Sequence, residues 1–352
     1  MDYPFSTNEH GGIVPGELER LGIDARQVVD FSTNTNPFGP APGVLEAAKS
    51  VDIAVYPDRD CSVLRSLIAQ HSQTSQENIL VGNGTSELIW LISAAFLRPK
   101  DAVVIIAPTF TEYRRAANMQ AAKIIEFHAL PLSFNPPLGK ALEVMRRIKP
   151  RLVFLCNPNN PTGKYILEED LQEFAANLPD DCLLVLDEAY ISFVKGLSFK
   201  RILRKNCIVL RSMTKDFALA GLRLGYAMAE PDLIQRLKEY QPTWSVNAAA
   251  QAAGRAAFSE LAQYQQKLNH LRELKSEFFA GLETIGYAIV PSNVHFGLIK
   301  LDRSAQEVRL ALLQQFILVR DCASFGLPQY IRVSTKLQMD NEKLLKSLGA
   351  LH

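Results

Sequence analysis

Ser212-Met213-Thr214-Lys215 lies just after the apolar run Cys207–Leu210, and Arg223 follows eight residues after the lysine, in Gly221-Leu222-Arg223-Leu224-Gly225. A lysine at the end of a buried strand can form a Schiff base with an aldehyde cofactor, while Ser212 and Arg223 hold an anion of that cofactor. A lysine after a strand is more often a solvated charge. The interpretation therefore depends on residues elsewhere in the chain.

The composition is that of an ordinary globular protein without a bulk charge. Of its 352 residues, 47% are hydrophobic and 21% charged, and the formal net charge is +1. This balance gives no electrostatic field that favours nucleic acid or membrane as a partner.

Five cysteines are present: Cys61, Cys156, Cys182, Cys207 and Cys322. They share no metal-ligand spacing, so we expect reduced thiols and no metal site. Met1–Phe5 lacks the features of an export signal, and no apolar run has membrane-spanning length. We therefore expect a soluble, cytoplasmic protein.

Seven short apolar runs predict a mainly parallel sheet. The runs are Ile79–Val81, Ala102–Ile106, Lys123–Phe127, Leu152–Leu155, Leu183–Leu186, Ile208–Leu210 and Leu224–Ala229. Nearly continuous apolarity is typical of strands that are covered on both faces. Helical patterns lie between several of them, including Ser86–Leu97, with Thr85 as a candidate cap, and Glu168–Leu178.

The pattern changes to a long helical tract from about residue 246 to residue 285. The segments after it are Ala288–Val290, His295–Leu301, a helix near Ala305–Phe316, Ile317–Arg320, Tyr330–Val333 and a last helix from Asn341. They predict a small α+β layer. We expect a large domain over residues 46–255 and a small C-terminal domain over 256–352. Residues 1–45 are expected to form an N-terminal arm and part of the small domain.

Two loops are candidates for ligand binding. Val81-Gly82-Asn83-Gly84-Thr85-Ser86-Glu87 joins a predicted strand to a helix, so that backbone N–H groups and hydroxyls can bind an anion at the helix N-terminus. Asn157-Pro158-Asn159-Asn160-Pro161-Thr162-Gly163 follows another strand, at the edge where open α/β sheets bind ligands. Each loop alone is equally typical of a plain connection or turn.

Asp187 ends the apolar run of Leu184-Val185-Leu186-Asp187-Glu188-Ala189-Tyr190. A carboxylate buried at a strand end is costly unless a positive group meets it, and a protonated pyridine nitrogen would be such a group. A surface aspartate and a metal-binding acid are the alternatives.

Taken together, these motifs resemble those of the fold type I aminotransferases, which use pyridoxal 5′-phosphate. The glycine-rich turn, Phe110, Asn160, Asp187, Tyr190, Lys215 and Arg223 follow the order seen in that family, and the resemblance covers nearly the whole chain. It implies an α/β fold with a large domain, built on a mainly parallel seven-stranded sheet, and a smaller α+β domain.

The resemblance also implies roles for individual residues. Lys215 would carry the cofactor, Asp187 would face its pyridine nitrogen and Phe110 would stack on its ring. Asn160 and Tyr190 would bind the 3′-oxygen; Lys215, Asp187 and Tyr190 would be catalytic. The cofactor phosphate would be held by Gly84, Thr85, Ser86, Ser212, Arg223 and, from the partner in a homodimer, Tyr56. The substrate would be held by His10, Asn34, Asn160, Arg320 and Arg332.

Two groups within this family are alternatives: histidinol-phosphate aminotransferases and the threonine-phosphate decarboxylases of cobalamin synthesis. Four segments resemble the decarboxylases: His10-Gly11-Gly12, Asp30–Pro37, Trp244–Asn247 and Val319–Ala323. Thr35 departs from the Asn-Glu-Asn-Pro that is usual in the aminotransferases. We therefore expect decarboxylation of a small phosphorylated amino acid, L-threonine O-3-phosphate, to (R)-1-amino-2-propanol O-2-phosphate. Histidinol-phosphate aminotransfer and serine-phosphate decarboxylation remain alternatives.

A non-enzymatic role is the alternative from a different class, because the same fold serves as a ligand-sensing module in some transcription regulators. Only about 30 residues precede the Asp30–Pro40 segment, which we expect to be too few for a DNA-binding domain. The joint presence of Lys215, Asp187 and Arg223 favours catalysis.

Overall fold

The computed structural model describes residues 10–131, 133–195 and 205–351. The expectation about an export signal concerned Met1–Phe5, which lie outside these residues. The strands, in chain order, are β1 (Val29–Asp30), β2 (Ile79–Gly82), β3 (Ala102–Ala107), β4 (Lys123–His128), β5 (Leu152–Cys156), β6 (Leu183–Asp187), β7 (Cys207–Ser212), β8 (Gly225–Met228), β9 (Phe296–Lys300), β10 (Ile317–Leu318), β11 (Arg320–Asp321) and β12 (Tyr330–Ser334).

The α-helices, in chain order, are α1 (Pro15–Arg20), α2 (Pro42–Lys49), α3 (Ser62–Ser72), α4 (Gly84–Phe96), α5 (Glu112–Met119), α6 (Leu138–Ile148), α7 (Glu168–Ala176), α8 (Pro231–Lys238), α9 (Ala248–Ser259), α10 (Leu261–Thr284), α11 (Ala305–Leu313) and α12 (Gln338–Gly349). Among the described residues, none of these helices combines the length and the hydrophobicity that a membrane span requires.

The larger sheet has seven strands in the order β2-β8-β7-β6-β5-β3-β4. Strand β8 runs antiparallel to both of its neighbours, and the other pairings are parallel. Each of the seven predicted apolar runs forms one of these strands. The predicted mainly parallel, seven-stranded sheet is therefore confirmed.

Both faces of this sheet are buried, as the continuous apolar runs indicated. Along β3, Val104 and Ile106 belong to one hydrophobic core, whereas Val103 and Ile105 belong to a second core on the opposite face. The alternation follows from the two-residue period of a strand, because successive side chains point to opposite faces. All five cysteines are buried and free, as expected.

Several predicted helix boundaries differ from the structure. Helix α4 begins at Gly84, so Thr85 is inside its first turn and is not its cap. The Glu87 side chain instead accepts a hydrogen bond from the backbone N–H of Asn83 at 2.7 Å. The long tract after residue 246 is two helices, α9 and α10, that meet at Glu260. The last helix begins at Gln338, three residues before its predicted start.

The smaller layer contains a three-stranded antiparallel sheet, β11-β12-β9, and the parallel pair β1-β10. The predicted strand Ile317–Arg320 is divided between them. Its first part pairs with Val29–Asp30 and its last residue, Arg320, pairs with Arg332. The predicted strand Ala288–Val290 is reduced to a single bridge between Ile289 and Ile299. The domain boundaries at residues 45 and 255 remain predictions.

The segment from Asp30 to Asn36 joins the smaller layer to the loop that carries Lys215. At one end, the Asp30 carboxylate accepts hydrogen bonds from the backbone N–H and the hydroxyl of Ser32, at 2.7 and 2.6 Å. At the other end, the backbone N–H of Asn36 donates to the carbonyl of Lys215 at 2.8 Å. The Asn36 amide also donates to the Asp216 carbonyl, at 2.9 Å. This short segment thus fixes the distance between the small sheet and the lysine.

Candidate active site

The topology brings most of the predicted site residues to one edge of the large sheet. The carboxyl ends of parallel strands lie at the same edge, where open α/β sheets bind ligands. Phe110 follows β3, Asn160 follows β5, Asp187 ends β6 and Lys215 follows β7. Strand β2 ends at the same edge and leads into Gly84.

A cleft opens at this edge. Its inner part has a volume of about 80 Å³ and its outer part about 410 Å³, and the two share Lys215, Asn160 and Tyr190 in their walls. The predicted residues that line it are His10, Asn34, Thr85, Ser86, Phe110, Asn160, Asp187, Tyr190, Lys215, Arg223, Arg320 and Arg332. The other three predicted residues, Gly84, Ser212 and Tyr56, are absent from its walls.

The inner end of the cleft is built around the Asp187 carboxylate, which is 3% exposed. Its oxygens accept hydrogen bonds from the Tyr113 hydroxyl at 2.7 Å and from the backbone N–H of Ala189 at 2.9 Å. Burial raises the pKa of Asp187, although these hydrogen bonds oppose the shift. Among the described residues, no lysine or arginine forms an ion pair with it. A cationic N–H from a ligand would complete its environment.

Lys215 lies in both parts of the cleft. Burial, followed by the positive charges of Arg332 and Arg223, lowers the pKa of Lys215 to about 8. The same amine in water would hold its proton much more tightly, because its usual pKa is 10.5. The cleft therefore favours the neutral, nucleophilic form of this lysine.

The start of α4 forms the anion-binding side of the inner cleft. Gly84 has a φ of +80°, and a Cβ atom at this position would lie 2.7 Å from Nη2 of Arg223. A glycine is therefore needed for the guanidinium to approach the helix N-terminus. The Thr85 and Ser86 residues follow within the first turn, where unpaired N–H groups favour an anion. Ser212 lies beneath this region, and its hydroxyl pairs with that of Thr214 at 2.7 Å.

Asn34, Tyr190 and Asn160 form the wall between the inner and outer parts. The Asn34 amide donates to the Tyr190 hydroxyl at 3.4 Å, and the Oδ1 atom of Asn34 is buried without a hydrogen-bond partner among the described residues. Burial raises the pKa of Tyr190 to about 12, although the Arg332 charge opposes this shift. The Asn160 side-chain oxygen accepts a hydrogen bond from Arg332.

Two buried arginines face the outer part of the cleft from neighbouring strands. Arg320 and Arg332 are register partners on β11 and β12, and they are 3% and 4% exposed. Burial, followed by the charge of Arg332, lowers the pKa of Arg320 to about 10, so this guanidinium remains charged at neutral pH. Burial also lowers the pKa of Arg332. The Nε atom of Arg332 is buried without a hydrogen-bond partner among the described residues. Two close cations of this kind favour an anionic ligand.

The exposed loop at His10 closes the outer cleft from the other side. A Cβ atom on Gly11 would collide with the Ser32 carbonyl, and the backbone N–H of Gly12 donates to the Ser32 hydroxyl at 2.7 Å. The two glycines thus allow this loop to lie directly on the Asp30–Asn36 segment. His10 packs against Phe110, with 5.7 Å between the ring centroids.

The cleft walls also contain polar residues that were not predicted from the sequence, among them Glu112, Tyr113 and Thr214. Tyr113 lies only three positions after Phe110, but its contact with Asp187 spans 74 residues. Only knowledge of the strand order would have identified it. Tyr56, by contrast, does not line the cleft of its own chain, is 76% exposed and packs against Trp244 with 4.7 Å between the ring centroids.

The residues of the inner cleft fit pyridoxal 5′-phosphate. Its phosphate matches the start of α4 and Arg223, its protonated pyridine nitrogen matches the buried Asp187 carboxylate, and its aldehyde matches the amine of Lys215, whose pKa is lowered to about 8. Among the described residues, no group of three histidine, cysteine, aspartate or glutamate side chains is placed to hold a metal ion.

Comparisons with known proteins agree with this fit. The family model for aminotransferase class I and II matches residues 26–351. A histidinol-phosphate aminotransferase from Moorella thermoacetica is 33% identical over 348 residues, which cover 95% of this chain and 89% of that protein.

Two solved structures share the fold. The histidinol-phosphate aminotransferase from Sinorhizobium meliloti, in complex with pyridoxal-5′-phosphate, has a TM-score of 0.88 and 24% identity, and the match covers 99% of this chain and 98% of that one. The L-threonine-O-3-phosphate decarboxylase from Porphyromonas gingivalis has a TM-score of 0.80 and 26% identity, over 91% of this chain and 98% of that one. This chain therefore belongs to the class I and II aminotransferase family of pyridoxal 5′-phosphate enzymes and has its type I fold.

Proposed function

We propose that the protein decarboxylates a small phosphorylated amino acid, L-threonine O-3-phosphate, to 1-amino-2-propanol O-2-phosphate. The observation that carries the proposal is the convergence of His10, Arg320 and Arg332 on the outer cleft. A substrate with both a carboxylate and a phosphate presents two anions, and these cations are suited to them. The likeness of the His10-Gly11-Gly12 segment to the decarboxylases, and of the fold to the Porphyromonas gingivalis enzyme, supports the same assignment.

Pyridoxal 5′-phosphate would be held in the inner cleft, with Lys215 at its aldehyde, Asp187 at its pyridine nitrogen and Phe110 against its ring. Asn160 and Tyr190 would donate to its 3′-oxygen. Its phosphate would be bound by Thr85, Ser86 and Arg223, with Gly84 and Ser212 beside them. The bound cofactor supplies the electron sink for the bond that breaks at Cα of the substrate.

The orientation of the substrate decides which bond breaks. A decarboxylase must hold the Cα–carboxylate bond perpendicular to the cofactor ring, whereas an aminotransferase holds the Cα–H bond there. Arg320, Arg332 and His10 grip the phosphate and thereby fix this orientation, with Asn34 and Asn160 beside them. The release of carbon dioxide requires one proton to be added to Cα, and Lys215, which lines both parts of the cleft, is positioned to supply it.

Histidinol-phosphate aminotransfer is the second candidate. The observation in its favour is the 33% identity to a histidinol-phosphate aminotransferase over nearly the whole chain. That reaction also needs cations for a phosphate, and in addition for the carboxylates of a 2-oxo acid acceptor. Serine phosphate, which lacks only the methyl group of threonine phosphate, is the alternative within the decarboxylase assignment.

The first test of the proposal is a direct comparison of these reactions. Purified holoenzyme is incubated with L-threonine O-3-phosphate, with L-serine O-phosphate, and with histidinol phosphate plus 2-oxoglutarate, and carbon dioxide and glutamate are measured. We expect carbon dioxide from threonine phosphate and little glutamate. In Arg332→Ala, loss of one charge-assisted contact of about 1.5–3 kcal/mol should lower kcat/KM by roughly ten- to 150-fold.

The matched control is Arg303→Ala, because Arg303 is an exposed arginine of the same layer that pairs with Asp302. It should leave kcat/KM unchanged, and both variants should retain the cofactor absorbance. Glutamate from histidinol phosphate, without carbon dioxide from either amino-acid phosphate, would establish the aminotransferase instead.

We also expect the rate at which Lys215 reacts with the cofactor aldehyde to depend on pH through the lowered pKa of this lysine. Only the neutral amine attacks an aldehyde, so the rate should rise with pH and become constant above about 8, the lowered pKa of Lys215. Stopped-flow absorbance of apoprotein mixed with pyridoxal 5′-phosphate measures this rate, and borohydride reduction then fixes the label for peptide mapping. Lys215→Ala is the control and should acquire no label. A rate that still rises at pH 10, or a label on another lysine, would refute the assignment.

A homodimer with shared sites is the third expectation. The exposed apolar residues Ile53, Val55 and Tyr56, together with Trp244, favour an interface, and Tyr56 would reach the cofactor phosphate of the partner. Mixing Lys215→Ala with Tyr56→Ala protein should restore about a quarter of wild-type activity, because half of the dimers then contain one intact site. Sedimentation of the active protein as a monomer, or no recovery on mixing, would contradict it.

A further inference from the structure

Glu112 is a buried carboxylate at the rim of the cleft to which the proposed reaction assigns no role. It is the first residue of α5, two positions after Phe110, and is 6% exposed. Its oxygens accept hydrogen bonds from His10 Nε2 at 3.0 Å, from Trp90 Nε1 at 2.8 Å and from Arg115 Nη1 at 2.7 Å. Residues from three separate parts of the chain are thus joined at one carboxylate.

The ionisation of Glu112 determines which nitrogen of His10 is free for a ligand. Burial alone would raise its pKa, but the hydrogen bond from Trp90 and the charge of Arg115 outweigh burial and lower it. An ionised carboxylate only accepts hydrogen bonds, so Nε2 of His10 carries the hydrogen in this contact. Nδ1 is then the ring nitrogen that remains for another partner.

The surroundings of His10 restrict it to this orientation. The ring is bounded by Phe110, and the next two residues, Gly11 and Gly12, are fixed on Ser32. His10 also lines the same outer cleft as Arg320 and Arg332. A histidine with one nitrogen fixed by a carboxylate presents its other nitrogen in a defined direction, as is common for functional histidines.

The contact between His10 and Glu112 contributes little to overall stability. The His10 side chain is 45% exposed, and ion pairs with such exposure are screened by water and typically contribute almost nothing to the free energy of unfolding. A buried glutamate with three donors at the cleft rim therefore needs a different explanation. Orientation of the histidine is the effect that this geometry produces.

We propose that Glu112 is a positioning residue that holds the imidazolium form of His10 through Nε2–H, so that Nδ1–H donates a hydrogen bond to the phosphate of the substrate. This inference rests on the proposed function only in taking a phosphorylated compound as the ligand. It also makes the site selective for phosphorylated substrates, because an oriented His10 forms no additional contact with a substrate that lacks a phosphate. Trp90 and Arg115 support it by holding the carboxylate itself.

The test measures binding to the holoenzyme separately from turnover. 3-Phosphoglycerate is the probe, because it resembles serine phosphate but carries a hydroxyl in place of the amine and cannot react with the cofactor. Glycerate is the control ligand without the phosphate. Isothermal titration calorimetry is performed on wild-type protein, Glu112→Gln, His10→Ala and the double variant. We expect Glu112→Gln and His10→Ala each to weaken 3-phosphoglycerate binding by about tenfold. This is the lower end of the range expected when one charge-assisted hydrogen bond is lost.

The double variant separates positioning from a general structural effect. If Glu112 acts through His10, then Glu112→Gln should cause no further loss in a protein that already carries His10→Ala. Glycerate binding should be equal in all four proteins. With the amino-acid phosphate, both single variants should lower kcat/KM, and the double variant should lower it no further than His10→Ala alone.

A matched control exists on β4, where Glu126 contacts His128 at 2.9 Å in a similar pair outside the cleft. Glu126→Gln should change neither ligand binding nor KM. Unchanged 3-phosphoglycerate binding in Glu112→Gln or His10→Ala, or losses that add fully in the double variant, would overturn the proposal. A protein that releases no carbon dioxide but shows the non-additive losses would refute the decarboxylase assignment and retain the positioning role.

Discussion

The burial of the Asp187 carboxylate is the constraint on which the rest of the site depends. It lies at the end of β6 in the centre of a sheet whose two faces are covered, and burial raises its pKa although Tyr113 and Ala189 donate to it. A charge in such a place is costly unless a cation meets it. In the assignment that we propose, the protonated pyridine nitrogen of the family's cofactor would provide this cation.

The second constraint is the short connection between the two layers. The Asp30 carboxylate accepts a hydrogen bond from the Ser32 hydroxyl, and that hydroxyl accepts one from the backbone N–H of Gly12 in the His10 loop. The backbone N–H of Asn36 donates to the carbonyl of Lys215. Arg332 donates to the Ser32 carbonyl at 2.5 Å and to Asn160. The cations that we assign to the substrate are therefore held at fixed positions relative to the lysine. This is the arrangement that a reaction controlled by substrate orientation requires.

The sequence predicted the large sheet from local apolar patterns, whereas most of the cleft residues were assigned through the resemblance to the aminotransferases. Runs such as Leu183–Leu186 are buried on both faces, and residues directly after parallel strands must meet at one edge. The failures concern contacts between distant segments. Ile317–Arg320 reads as one strand, yet its two ends pair with different partners, Val29 and Arg332. Glu112 and His10 are 102 positions apart, and no local pattern joins them.

The central claim is that the bond to the carboxylate, and not the bond to hydrogen, breaks at Cα. The most direct measurement uses L-threonine O-3-phosphate that carries deuterium at Cα, with the product analysed by nuclear magnetic resonance and mass spectrometry. If the account is correct, the 1-amino-2-propanol O-2-phosphate retains the deuterium and gains one hydrogen from water. Loss of deuterium from the substrate to water, with the carboxylate retained, would contradict it and identify an enzyme that breaks the Cα–H bond.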